Sequence, residues 1–237
     1  KKNDETKIKY RAIEILSKEQ IKTLPSWVKD DIENAYVLGE SKNVVITSDG
    51  KKYSLQNKLN DLSGGEWTYF LNSVISTKYL TNGDDSYAHH IRRIHPSPKP
   101  PQLMRDIIKF FTKENEFVFD FFAGVGGTLL GASLCNRKAV GIDLNQEYIN
   151  AYQKANKYLN LKEQIFICGD SLKILKDEKQ INKIFNNNKA SLILIDPPYG
   201  DMMAKNKTGE AMKKGKDTSP TPFTNMEVDL HLNLPKF

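Results

Sequence analysis

The chain has 237 residues, of which 39% are hydrophobic and 27% charged, enough for one α/β domain or a domain with a small appendage. Its 35 Lys+Arg against 29 Asp+Glu give a formal net charge of +6, and the mean hydropathy is −0.54. These values exclude a disordered tail and a membrane-embedded chain, and the positive excess permits a polyanionic partner without requiring one.

In chain order, Ala12, Ile13, Ile15 and Leu16 form a short apolar run whose period fits either helix or strand. Ser17-Lys18-Glu19-Gln20 has the capping-box form and predicts a helix start. Asn43–Thr47 reads as a strand, Ser48-Asp49-Gly50 as a hairpin turn and Lys51–Leu55 as the return strand. Gly64-Gly65 reads as a break before the aromatic stretch Trp67–Phe70. From His95 the pattern changes. His95-Pro96-Ser97-Pro98-Lys99-Pro100-Pro101 is expected to be extended, because proline restricts both itself and its predecessor. Leu103, Met104, Ile107, Ile108 and Phe111 then recur at helical spacing. Phe117–Phe122 is a buried-strand candidate, followed by a glycine-rich loop and a short helix through Leu134. Lys138–Ile142 is a second strand ending at Asp143, and Tyr148, Ile149, Tyr152, Ala155 and Leu159 mark the next helix. Ile165–Cys168 is a third strand ending at Gly169-Asp170, and Asn186–Asn188 falls in a solvated loop. Ser191–Ile195 is a fourth strand, ending at Asp196-Pro197-Pro198-Tyr199.

No apolar run approaches the length that spans a bilayer, so no membrane contact is expected. Residues Lys1–Glu5 lead into no apolar segment, which argues against a secretory signal and for a cytoplasmic protein. Cys135 and Cys168 cannot build a disulfide framework, and both are expected as reduced, buried thiols.

Strands alternating with helices predict an α/β fold with a doubly wound, mainly parallel sheet. In such sheets ligands bind beyond the carboxyl ends of the strands, where strand order reverses. With order 3-2-1-4 the glycine loop and the Asp196–Tyr199 turn face one crevice.

Gly124, Gly126 and Gly127 allow close backbone approach at a helix start, although a plain tight turn would use glycine as well. Leu129 stands where G-x-G-x-x-G needs its third glycine, and no Walker lysine follows, so a dinucleotide or nucleoside triphosphate is disfavoured. Asp143, at the second strand's end, is placed to accept two hydroxyls of one ribose; equally, it can cap the helix that follows. Asp170 has the same two readings, with an adenine amine as its ligand. Asp196-Pro197-Pro198-Tyr199 is the most specific signal. A diproline cannot continue a ladder, so the turn is rigid and presents a carboxylate, a carbonyl and an aromatic face. Asp196 and the Pro197 carbonyl can hold both hydrogens of a base's exocyclic amine while Tyr199 stacks on the ring. A purely structural proline turn is the alternative. His89, His90 and His95 read more simply as part of a basic surface segment than as metal ligands, and no metal is expected. Arg92, Arg93, Arg105 and Lys109 are expected to form a positive patch beside the cleft.

These motifs, taken together, resemble those of the amino-methylating DNA methyltransferases, which move a methyl group from S-adenosylmethionine to adenine N6 or cytosine N4. Phe119–Thr128 resembles the family's cofactor loop, Asp143 its ribose acid, Gly169-Asp170 its adenine-contacting motif and Asp196–Tyr199 its catalytic motif. His95–Pro100 is similar to the segment that precedes the loop and encloses the methionine end. The resemblance covers residues 65 to 200. It implies Lys99, Asp120, Phe122, Ala123, Gly124, Gly126, Gly127, Thr128, Asp143, Asp170 and Ser171 as cofactor-binding residues. It implies Asp196, Pro197, Pro198 and Tyr199 as catalytic, with adenine favoured by the aspartate. Carbon-5 methylation of cytosine is disfavoured, since neither cysteine follows a proline.

The family's sheet continues beyond its catalytic turn, whereas here residues 200–237 show little strand pattern. Lys205, Lys207, Lys213, Lys214 and Lys216, with Gly209 and Gly215, suit a basic loop that grips phosphates; a plain solvated loop fits as well. The expected organisation is an appendage over residues 1–65 and a methyltransferase core over 66–237. That core is expected to be incomplete at its C-terminal end, its missing strands coming from a partner chain, a second copy or a part not present here, and target recognition from such a partner unless residues 1–80 serve. DNA is the expected partner. RNA or protein-amide methylation, and an inert DNA-binding subunit, are the rival readings.

Overall fold

The computed structural model describes residues 9–38, 42–75 and 77–197. Two compact units are delimited, residues 1–195 and 196–237, and of the second only Asp196 and Pro197 are described. The Lys205–Lys216 segment and Asp229–Phe237 lie outside the described residues.

The first part of the larger unit is a small antiparallel meander. Strand β1 (Lys9–Arg11) leads into three short helices, α1 (Ala12–Ile15), α2 (Lys18–Thr23) and α3 (Ser26–Lys29). Strands β2 (Tyr36–Leu38), β3 (Val44–Ile46) and β4 (Lys52–Ser54) complete a sheet of order β1-β2-β3-β4. The expected hairpin is β3–β4, with Val45 opposite Tyr53 and Gly50 at φ +84° in its turn. The Ser17 capping box is present and starts α2. The β1–β2 pairing was not anticipated; β1 is three residues long and carries no alternation that a sequence can show. Val28, Val37, Val45 and Tyr53 form this part's own core.

Gly64-Gly65 is not a break. It opens helix α4 (Gly64–Phe70), because Ser63 and Glu66 form a capping box in which each side chain accepts the other's backbone N–H. The cap satisfies orphan amides and outweighs the poor helix propensity of two glycines. Helix α5 (His89–Arg92) follows, and residues 95–97 bend rather than run extended. Helix α6 (Pro101–Phe111) begins with proline at its first position, where the missing N–H costs nothing.

The second sheet is parallel. It contains β5 (Phe117–Asp120), β6 (Lys138–Asp143), β7 (Ile165–Cys168) and β8 (Ala190–Ile193), connected through α7 (Gly127–Ser133), α8 (Gln146–Tyr158), α9 (Ser171–Lys176) and α10 (Glu178–Ile184). The order is β7-β6-β5-β8, the 3-2-1-4 arrangement under which the glycine loop and the turn after the fourth strand are expected to share a crevice. Strand alternation sends Val118 and Ala139 to one face, against Met104, Ile108, Leu129 and Tyr152. Phe119, Val140 and Ile142 go to the other, against Ile174 and Phe185. Two covered faces make the fold α/β and doubly wound.

Cys135 is buried, as expected, but Cys168 is exposed. It ends β7, an edge strand with one open side, so an apolar run there does not mean burial. The meander is tied to the parallel sheet at the amino ends of β5 and β6. Arg137 Nη2 lies 3.2 Å from Asp61 Oδ2, and both side chains are buried. Glu114 accepts from Ser26 N and Oγ, and Trp27 Nε1 donates to the Asp61 carbonyl.

Candidate active site

Strands β5, β6 and β7 end together. Their register pairs Asp120 with Gly141 and Asp143 with Cys168, so Asp120, Asp143 and Asp170 gather at one rim of the sheet. The loop after β5 turns back through Ala123 N, which donates to the Ile142 carbonyl, and Gly126 N, which donates to Ala123 O. Gly126 sits at φ +72°, and a Cβ there would lie 2.4 Å from the Tyr152 ring. A Cβ on Gly127 would lie 2.7 Å from the Lys99 carbonyl oxygen. Thus what approaches these two glycines is the protein itself, and the loop is clamped from both sides.

Asp120 is fully buried. Oδ2 accepts from Thr128 Oγ1 at 2.6 Å, Oδ1 from Phe122 N at 3.0 Å, and Lys99 Nζ lies 3.5 Å from Oδ2. Asp120, Thr128 and Phe122 therefore hold the loop's shape, while Lys99 brings the His95–Pro100 segment onto it. Ala123 is buried beneath the loop, and Gly124 takes φ +53°.

Asp143 bridges two elements. Oδ2 accepts from Gly124 N at 2.8 Å and Oδ1 from Asn145 N at 2.9 Å. The helix-cap alternative is filled by Asn145, whose side chain accepts from Glu147 N at the start of α8. Burial pushes the Asp143 carboxyl above its ordinary pKa; the amides of Asn145 and Gly124 oppose the shift, and the nearby Asp120 adds to it. Asp170 does occupy the N-cap of α9, accepting from Leu172 N at 2.9 Å, and Ser171 Oγ donates to the Phe121 carbonyl at 2.6 Å. That bond ties the end of β7 to the loop after β5.

Three side chains at this rim escaped the sequence reading as site residues. Leu144 and Leu172 directly follow the two strand-end carboxylate motifs and remain 56% and 66% exposed. The available signal was an apolar residue just after a strand-end acid. His95 Nδ1 accepts from Ser97 N, its ring packs edge-on to Tyr148 at 5.0 Å, and a Cβ on Gly124 would lie 3.4 Å from its Nε2. The His95–Pro100 motif marked that segment without assigning the imidazole a place.

Asp196 and Pro197 are exposed. Pro198 and Tyr199 lie outside the described residues. Strand β8, whose end leads into this turn, pairs with β5, and Leu194 N donates to the Phe119 carbonyl.

Of the expected positive patch, Arg93 is exposed and the other three members are otherwise engaged. Arg92 is buried and donates to the Lys99 carbonyl, Lys109 is paired with Glu66 at 2.7 Å, and Arg105 with Asp106 at 2.8 Å. Lys109 and Arg105 face acids that the linear sequence places 43 residues away and adjacent, respectively. His90 packs edge-on against Tyr158. Among the described residues, no three His, Cys, Asp or Glu side chains are grouped to hold a metal ion, and no helix is long and apolar enough to cross a membrane.

Residues 1–154 match the N6/N4 family model described as DNA methylase. Residues 115–226 match one described as RNA cap guanine-N2 methyltransferase. A tRNA (guanine(10)-N2)-dimethyltransferase of Methanocaldococcus jannaschii is 28% identical over 145 residues, covering 59% of this chain and 40% of the relative. The type II methyltransferase M1.MboII of Moraxella bovis is 37% identical over 134 residues, covering 56% and 45%. The type II methyltransferase M2.LlaDCHI of Lactococcus lactis subsp. cremoris is 40% identical over 60 residues, covering 25% and 22%. The chain thus spans less than half the length of each of these relatives.

Proposed function

The chain belongs to the amino-methylating DNA methylase family, and from that premise we propose that it methylates an exocyclic amine of a nucleic-acid base with S-adenosylmethionine, adenine N6 of a flipped-out DNA base being the favoured acceptor. The observation that carries this reading is Asp143. Its carboxylate accepts from the amides of Gly124 and Asn145 and is also acted on by that of Leu144, which leaves about one of its roughly four acceptor positions for a ribose hydroxyl. Exposed Leu144 and Leu172 flank it with apolar surface suited to an adenine ring. Lys99, beside buried Asp120, borders the methionine end.

The donor supplies an electrophilic sulfonium methyl. Asp196 and the Pro197 carbonyl accept the two hydrogens of the base amine, freeing its nitrogen lone pair for attack. As the nitrogen–carbon bond forms, the sulfur–methyl bond breaks with its electron pair staying on sulfur, and S-adenosylhomocysteine leaves as the neutral thioether. The Asp196 carboxylate receives the amine proton, and Tyr199 stacks on the base. No covalent enzyme intermediate is required.

Residues 1–65 are read as an appendage on a core of 66–237. Because the appendage is tied to the amino ends of β5 and β6, it lies away from the rim that carries Asp143. This favours another source of target recognition, and with it a second chain or copy beside the edge of β8, which pairs with no second strand among the described residues and where Ile193 is exposed. The enzyme is proposed to work in the cytoplasm.

A second reading is amino-methylation of guanine N2 in RNA. It is favoured by one observation: the RNA-type family match, unlike the DNA-type one, includes Asp196–Tyr199. Incubation with methyl-labelled donor and either duplex DNA or tRNA, followed by nucleoside analysis, decides between them. Label in N6-methyladenine of DNA supports the first reading; label confined to N2-methylguanine of tRNA overturns it.

A further inference from the structure

We propose that Arg92 is a positioning residue for the donor end of the site, its guanidinium fixing the Lys99 backbone against the loop that follows β5. This rests on the donor-site reading above.

Arg92 is 1% exposed and is the largest fully buried side chain among the described residues. Nη1 donates to the Lys99 carbonyl at 2.9 Å, whereas Nε is buried and has no hydrogen-bond partner. Among the described residues no carboxylate pairs with it. Burial lowers its pKa to about 10, so it remains a cation at neutral pH. A buried, uncompensated guanidinium is a costly way to fill space, and an apolar side chain of similar volume would serve a core better. What the guanidinium gives that an apolar group cannot is a fixed donor on one carbonyl.

That carbonyl stands at a junction. It packs against Gly127, the first residue of α7, so closely that a Cβ there would lie within 2.7 Å. The same residue's Nζ lies 3.5 Å from Asp120 Oδ2, which also accepts from Thr128 Oγ1. Any shift of the Lys99 backbone is passed both to the loop and to the buried carboxylate that shapes it. The approach to Arg92 is constrained too. Tyr87 and Ala88, just before α5, take left-handed φ values of +48° and +57°, uncommon for non-glycine residues and held only where packing enforces them.

The test is calorimetric binding of S-adenosylhomocysteine to wild type, R92K, K99A and the R92K/K99A double variant, scored per folded molecule. Lysine keeps the charge but not the reach and fork of the guanidinium. R92K is expected to weaken binding on the order of tenfold, the worth of a hydrogen bond to a charged group. K99A leaves the carbonyl that Arg92 holds and removes only the Nζ contact to Asp120, so the double variant loses at least as much affinity as R92K alone. R92K combined with D170A is expected to be multiplicative. In turnover, R92K raises KM for the donor and leaves kcat within about threefold. If R92K does not fold, R92Q replaces it, and failure of both to fold marks a purely structural arginine and overturns the proposal. Wild-type affinity in folded R92K also overturns it while the donor site stands. No binding by wild type overturns the donor-site reading itself, and the inference falls with it.

Discussion

Asp143→Asn tests the donor site at its most exposed assumption. The side chain keeps its shape, and one oxygen can still accept from Gly124 N, now 2.8 Å from Oδ2. The other position becomes an NH2 and faces Asn145 N, a donor against a donor. The charge is lost, and so is at least one acceptor for a ribose hydroxyl. A hydrogen bond to a charged group contributes about 1.5–3 kcal/mol, so affinity for S-adenosylhomocysteine should fall about 10- to 100-fold. Calorimetry measures this directly, with the circular dichroism spectrum as the control for folding. The apo protein adds a second signature. Burial raises the Asp143 pKa in the folded state. The folded state therefore holds this proton more tightly than the unfolded chain does. The resulting stability is full below the unfolded value of about 3.9 and is lost as pH rises through the raised folded value. Between those pH limits, wild type should lose stability relative to D143N, as read from urea midpoints. Binding within twofold of wild type by folded D143N would refute the assignment of Asp143 to the ribose.

Asp196→Ala should lower turnover about 10²–10³-fold while leaving S-adenosylhomocysteine binding near wild type, because it removes an acceptor at the reacting centre alone. Methylation rates of single-turnover reactions check this, and unchanged rates would remove the turn from the chemistry. Arg137→Met deprives buried Asp61, a carboxyl whose pKa burial already raises, of its cation. It should destabilise the fold by about 3–5 kcal/mol, seen as a lower thermal midpoint. Ser63→Ala removes the α4 capping box at a cost of about 1 kcal/mol, measurable in urea, with donor affinity unchanged because α4 lies away from the donor rim.

Much of this protein is local enough to be legible in the chain. The parallel strands and the carboxylates at their ends follow from apolar runs that stop at polar or glycine clusters, since a strand buried on both faces needs such a run and its end is where the backbone is released. The Ser17 box was readable for the same reason: four adjacent residues suffice to satisfy one another. The Ser63 box is equally local, and two following glycines masked it.

Other features depend on which surfaces meet, and no stretch of sequence carries that information. Arg92 looks like half of a basic surface pair, yet it is enclosed by the core and spends its donor on a carbonyl seven residues away. Lys109 finds Glu66 across 43 residues. Cys168 lies in an apolar run but ends an edge strand and stays exposed. The glycines of the loop after β5 were expected to allow close approach of a ligand; the structure shows that Tyr152 and Lys99 occupy the side where a Cβ of Gly126 or Gly127 would stand. Short-range pattern thus determined the strands and the kinds of groups at their ends, while their order came from pairing between distant segments. Only the packed chain decided which of those groups are committed to one another and which retain unused acceptors, because burial and pairing belong to contacts between distant segments.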